Sequence, residues 1–132
     1  MLKKKIASFA AAALAAAILS VTALAAATPF SFYLWYNGME ANTNPVKKTD
    51  DLYAAVTVSE GLAGGDYYAT FTVFNFVNNR QATETKDLWI NGTHHLNYAS
   101  GRGINGERYY LNATLEQQAN AERLQIAGRW EP

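Results

Sequence analysis

Apolar and polar side chains alternate along most of the chain beyond residue 27, with the period of two that marks half-buried β-strands. The longest run is Tyr67–Val77. Tyr67, Ala69, Phe71, Val73, Asn75 and Val77 share one face, and Tyr68, Thr70, Thr72, Phe74 and Phe76 the other. Aromatic and β-branched residues suit a pleated, half-buried surface, and the run is fenced by Gly64-Gly65-Asp66 and Asn78-Asn79, so it predicts a central strand. Phe30, Phe32, Leu34 and Tyr36 alternate with Ser31, Tyr33 and Trp35 in a first strand, which Pro29 can open because a first residue needs no ladder donor. Leu52, Ala54, Val56 and Val58 predict a second strand. Tyr109, Leu111, Ala113 and Leu115 predict another, and Leu124, Ile126, Gly128 and Trp130 the last.

The intervening segments read as connections. Met39–Lys48 is polar and carries Asn42, Asn44 and Pro45, which predicts a surface loop. Glu60–Asp66, with Gly61, Gly64 and Gly65, predicts a hairpin between the second strand and the central one. Asn78–Glu84 and the glycine-dense Ser100–Gly106 read as exposed loops, and Glu116–Ala121 has the length of a short connection. Thr85–Ile90 and Thr93–Tyr98 flank Asn91-Gly92, a dipeptide that favours a two-residue hairpin turn with positive φ at both positions. That turn would pair Trp89 with His94 and Asp87 with Leu96. About seven short strands between turn signals, without a long helical period, predict an all-β fold. The expected architecture is an antiparallel β-sandwich, Ig-like or jelly-roll-like.

The first 27 residues follow another pattern. Lys3, Lys4 and Lys5 form a basic start, Ile6–Val21 is an Ala-dominated apolar run, and Thr22–Ala27 offers small residues, the three parts of a secretory signal peptide. Cleavage after Ala25 and cleavage after Ala27 both satisfy the small-x-small rule, and an uncleaved anchor helix is the rival reading. Residues 1–27 are thus read as a signal peptide and 28–132 as one secreted, extracellular domain, with membrane contact only through the signal segment before cleavage. Lys3, Lys4 and Lys5 are three of the eleven basic residues while all eleven acidic ones lie further on, so the mature part holds eight against eleven. A mildly acidic domain lacks the basic stripe that nucleic acid requires. It also has no cysteine, so its stability is expected from apolar burial and β-ladder hydrogen bonds.

Candidate chemistry is sparse. His94-His95 invites a metal, but adjacent strand residues point to opposite faces, and His94 with Asp87 supplies two ligands where zinc takes three or four, so no metal site is expected. There is no Gly-x-Ser-x-Gly turn, no Cys nucleophile and no carboxylate pair in an apolar setting. Gly101–Gly106 matches Gly-x-Gly-x-x-Gly only superficially, because that phosphate loop must lead into a helix. No enzyme and no cofactor are therefore expected. Asn91-Gly92-Thr93 and Asn112-Ala113-Thr114 fit the N-glycosylation pattern; the signal peptide and the absence of cysteine read as bacterial, in which case the matches have no consequence. Aromatic side chains are the remaining feature. Both faces of every strand cannot be buried, so Tyr33, Trp35, Trp89 and Tyr98 are candidates for an exposed ligand-binding face, with core packing as the alternative for each. Such a face suits sugar rings or an envelope protein.

Four short segments carry a family resemblance: Phe30-Ser31-Phe32, Asn42-Thr43-Asn44-Pro45, Tyr98-Ala99-Ser100-Gly101 and the terminal Ile126–Pro132. Together with the order of elements they make the chain similar to a family of small secreted proteins of Gram-positive bacteria. The resemblance implies a β-rich extracellular domain, with bacteriocin-like exports as a distant comparison, and it transfers no catalytic residues. The expected function is a non-catalytic binding or interaction module acting outside the cell on a cell-wall glycan or envelope protein. A bacteriocin-like effector and a small secreted enzyme are the alternatives.

Overall fold

The structure is a computed structural model that describes residues 27–36, 38–49, 52–63, 67–117 and 124–132. The signal segment before residue 27 with its Ala25 cleavage site, Asn37, Asp50-Asp51, Gly64-Gly65-Asp66 and residues 118–123, which include the end of the expected Glu116–Ala121 connection, lie outside the described residues. In chain order the strands are β1 (Thr28–Leu34), β2 (Glu40–Asn42), β3 (Val46–Lys47), β4 (Tyr53–Ala63), β5 (Tyr67–Asn75), β6 (Lys86–Leu88), β7 (Ile90–Asn97), β8 (Arg108–Gln117) and β9 (Leu124–Glu131). They form two antiparallel sheets packed as a sandwich. One runs β1-β9-β4-β7, and the other β2-β8-β5-β6 with β3 also on β8.

Period-two alternation places the core. Phe30, Phe32 and Leu34 of β1, Ala54, Val56 and Val58 of β4, and Ile126 and Trp130 of β9 are buried from one sheet. Ala69, Phe71 and Val73 of β5 and Tyr109, Leu111, Ala113 and Leu115 of β8 meet them from the other. Rings interlock across the gap: Phe71 lies 6.2 Å from Phe30 and 6.5 Å from Phe32, which are themselves 5.0 Å apart. The strand ends trim the expected runs. β1 stops at Leu34 and β4 starts at Tyr53, so Tyr36 and Leu52 are exposed, and Phe76 and Val77 follow β5 in an exposed turn.

Three expected connections are corrected. Met39–Lys48 is not a free loop, since β2 and β3 pair with β8 through Ala41↔Ala113 and Val46↔Tyr109. Lys48 is buried, its ammonium donating to Asn105 Oδ1 at 3.0 Å. Glu60–Asp66 does not close a hairpin, because β4 continues to Ala63 and belongs to a different sheet from β5. Asn91-Gly92 is likewise no turn. β6 pairs with β5 and β7 with β4, so the chain changes sheets at Trp89. Leu88 and Leu96 explain this choice. A hairpin would point them to opposite sides of one ribbon, whereas separate sheets let both enter the core, where they are 1 % and 0 % exposed. Asn91 instead serves a bulge, its Oδ1 accepting from Leu62 N at 2.9 Å where β4 slips register.

Glycine is required where backbones cross closely. A Cβ on Gly128 would collide with the Thr57 carbonyl, and one on Gly61, at φ 108, with that of Gln125. Gly128→Ala should therefore lower the urea midpoint of unfolding by forcing β9 away from β4. Phe71→Ala should cost about 3–5 kcal/mol in the same titration by opening a cavity between the sheets.

Candidate functional site

The outer face of the β2-β8-β5-β6 sheet is the most organised polar surface of the described residues. Residues directly opposite in an antiparallel pair share a face, so the register defines rows across the strands. Glu116 and Tyr68 make the first row, extended by Trp89 through its stacking on Tyr68, and Glu40, Thr114, Thr70 and Asp87 the second. Asn42, Asn112 and Thr72 make the third, extended by Thr85 through a 2.9 Å hydroxyl contact with Thr72. Tyr110, Phe74 and Gln81 make the fourth, and Lys47 and Arg108 lie beyond it.

Stacked rings bracket the polar rows. Tyr68 and Trp89 stack at 4.1 Å and 27°, and Phe74 and Tyr110 at 5.5 Å and 14°. All four are half-buried. Tyr68 and Phe74 are six residues apart on one strand, so the pairs stand about 20 Å apart. Between them the side chains hold one another. Thr70 Oγ1 donates to Asp87 Oδ1 at 2.9 Å, and Asn112 Nδ2 donates to Asn42 Oδ1 at 2.8 Å and to Glu40 Oε1 at 3.2 Å. Thr114 Oγ1 lies 3.4 Å from both Glu40 Oε1 and Asn112 Oδ1. Tyr110 donates to Asn79 Oδ1, and burial, with the charge of Glu40 adding to it, holds its hydroxyl above the ordinary value of 10.0. The arrangement is a preformed floor of hydroxyls, amides and carboxylates between two aromatic walls.

The four aromatic residues singled out in the sequence do not converge. Tyr33 and Trp35 meet edge to face at 5.4 Å, on and just beyond β1 at one edge of the opposite sheet. Tyr98 is half-buried among loop contacts, with Tyr109 at 5.8 Å, the Lys48 ammonium 5.3 Å from its ring centroid and the backbone of Gly103 against its face. Only Trp89 joins the bracketed face, and its partners Tyr68, Phe74 and Tyr110 were missed. A signal for them lay in the alternation, which put Tyr68, Thr70, Thr72 and Phe74 on one side of the central run. His94 and His95 separate as their spacing requires: His94 Nε2 lies 3.0 Å from Ile90 O, and His95 stacks on Tyr53 at 3.9 Å. Among the described residues no three His, Asp or Glu side chains gather as a metal site would need.

A cavity of about 170 Å3 at one end of the sandwich is lined by Asn75, Arg80, Arg102, Glu107 and Tyr109 among others. Its polar groups join strands to loops. Glu107 Oε2 accepts from Asn75 Nδ2 at 2.7 Å and from Tyr109 OH at 3.2 Å, and the same hydroxyl accepts from Ile104 N at 2.8 Å. Burial raises the Tyr109 hydroxyl above its ordinary value, the Ile104 amide opposes this, and the Glu107 carboxylate adds to it. Comparison of the chain with protein families, with curated proteins and with solved structures gives no match.

The two tyrosines set an alkaline limit. A raised folded value means that the neutral phenol is favoured by folding, so the contribution is intact below about pH 10 and is lost as pH rises through the folded value. Thermal melts from about pH 8 to about pH 11 should show a decline above pH 10. Tyr109→Phe should melt lower at the start of that range, because its hydrogen bonds are gone, and decline less steeply at the end.

Proposed function

We propose that this protein is a non-catalytic binding module that acts outside the cell on its envelope, and that it binds through the outer face of the β2-β8-β5-β6 sheet. The observation that carries the reading is the pair of stacked aromatic walls, Tyr68–Trp89 and Phe74–Tyr110, on either side of an ordered polar floor. Aromatic rings with a few fixed polar groups give a ligand both contact area and orientation. The floor is held by its own hydrogen bonds before any ligand arrives, which reduces the entropy lost on binding. The signal-peptide pattern of residues 1–27 supports the extracellular part of this reading.

Co-sedimentation with isolated cell envelopes tests it. The protein, purified after expression of the full chain, is expected in the pellet, and Trp89→Ala combined with Phe74→Ala should leave it in the supernatant. Tyr33→Ala combined with Trp35→Ala should sediment like the parent. Retention of the first variant together with loss of the second would move the site to β1.

A further inference from the structure

Resting on that reading, we infer that the ligand is an uncharged polysaccharide strand lying along β5 and β8, with sugar rings at the Tyr68–Trp89 and Phe74–Tyr110 walls and hydroxyls on the rows between. Three features of the face select this chemistry.

The first is length. Apolar walls about 20 Å apart along one strand suit an extended chain that offers an apolar surface at both ends, whereas one small molecule would reach a single wall. A polysaccharide repeats that surface with every ring. The second is the kind of polar group. Thr70, Thr114 and Asn42 each carry both donor and acceptor capacity, as a sugar hydroxyl does, above the buried Thr72 and Asn112, and Glu40 and Asp87 add acceptors already positioned by Asn112 and Thr70. An extended peptide fits less well. It binds sheets by adding to an edge ladder, and this surface presents side chains rather than backbone.

The third is charge. Glu116, Glu40 and Asp87 lie in the first two rows, and no lysine or arginine occupies the first three. Lys47 and Arg108 stand beyond the Phe74–Tyr110 wall. A chain of uronic acids or phosphates crossing the floor would set its charges beside these carboxylates, and like-charge juxtaposition suppresses the wrong partner. Carboxylates accepting from sugar hydroxyls serve an uncharged chain without that penalty.

Affinity electrophoresis through gels holding a neutral β-linked glucan, a neutral N-acetylhexosamine polymer or polygalacturonate tests the inference. Retardation is expected in at least one neutral gel and not in polygalacturonate. Trp89→Ala and Phe74→Ala should each weaken it about tenfold, as loss of a central aromatic contact does. Glu40→Gln combined with Asp87→Asn keeps the side-chain shapes and leaves one acceptor oxygen on each residue. It should weaken neutral binding and at low salt admit polygalacturonate, a gain that mere unfolding cannot produce. Retardation by polygalacturonate in the parent protein overturns the inference, as does indifference to both aromatic substitutions. Envelope sedimentation through Trp89 without retardation in either neutral gel leaves the binding module standing and sinks the glycan. If retardation fails and sedimentation fails too, both fall. Sedimentation that survives glycan removal and is lost on protease treatment of the envelopes identifies a protein partner and overturns the inference.

Discussion

The layer of side chains between the two sheets, in which Phe71 of β5 meets Phe30 and Phe32 of β1, is what the rest of the molecule depends on. With no cysteine in the chain, no covalent bridge can tie the sheets together, and a domain of this size has room for one apolar core. β1, β4, β5, β8 and β9 therefore each give one face to that layer, and β7 adds Leu96. Gly61 and Gly128 let backbones approach where β4 crosses β9, and Trp130 fills the space between the sheets with 0 % exposure. The same period of two that commits Ala69, Phe71 and Val73 inward puts Tyr68, Thr70, Thr72 and Phe74 on the opposite face, where Thr72 is covered by its neighbours. The candidate binding face is thus the other side of the strand that holds the core.

That geometry also explains why the outer face is ordered. β5 is paired along its length with β8, from Tyr67↔Gln117 to Asn75↔Tyr109, so outward side chains of both strands sit opposite one another. Cross-strand neighbours this close interact: Phe74 meets Tyr110 at one end, Tyr68 is flanked by Glu116 and the Trp89 ring at the other, and amide, hydroxyl and carboxylate groups lie between. β2 and β6 extend the middle row on either side with Glu40 and Asp87. Rigidity needed for folding and preorganisation useful for binding come from one ladder.

Alternation reveals which residues share a face of a strand, and so the sandwich, the core residues of β1, β4, β5, β8 and β9, and the single-sided character of each were legible in the sequence. It does not reveal which strands are neighbours. Pairing joins residues far apart in the chain, so the rows that bring Glu40 to Thr114 and Trp89 to Tyr68 have no local signature. For the same reason Asn91-Gly92 misled. Its local preference for a hairpin is overridden by the burial of both Leu88 and Leu96 in opposite sheets, and the dipeptide accommodates a bulge instead. β2 and β3 were hidden because two or three residues of strand carry no readable period. Trp35 and Tyr98 drew notice as aromatic residues, but ring type alone says nothing about which side chains stand beside it.

The most direct test is backbone amide NMR of the isotopically labelled protein titrated with solubilised envelope glycan. Shifts should follow the outer rows, at Tyr68, Thr70, Thr72 and Phe74 on β5 and at Tyr110, Asn112 and Thr114 on β8, while Tyr33 and Trp35 stay still. Shifts gathered on β1 and its edge, with β5 and β8 unmoved, would contradict the account.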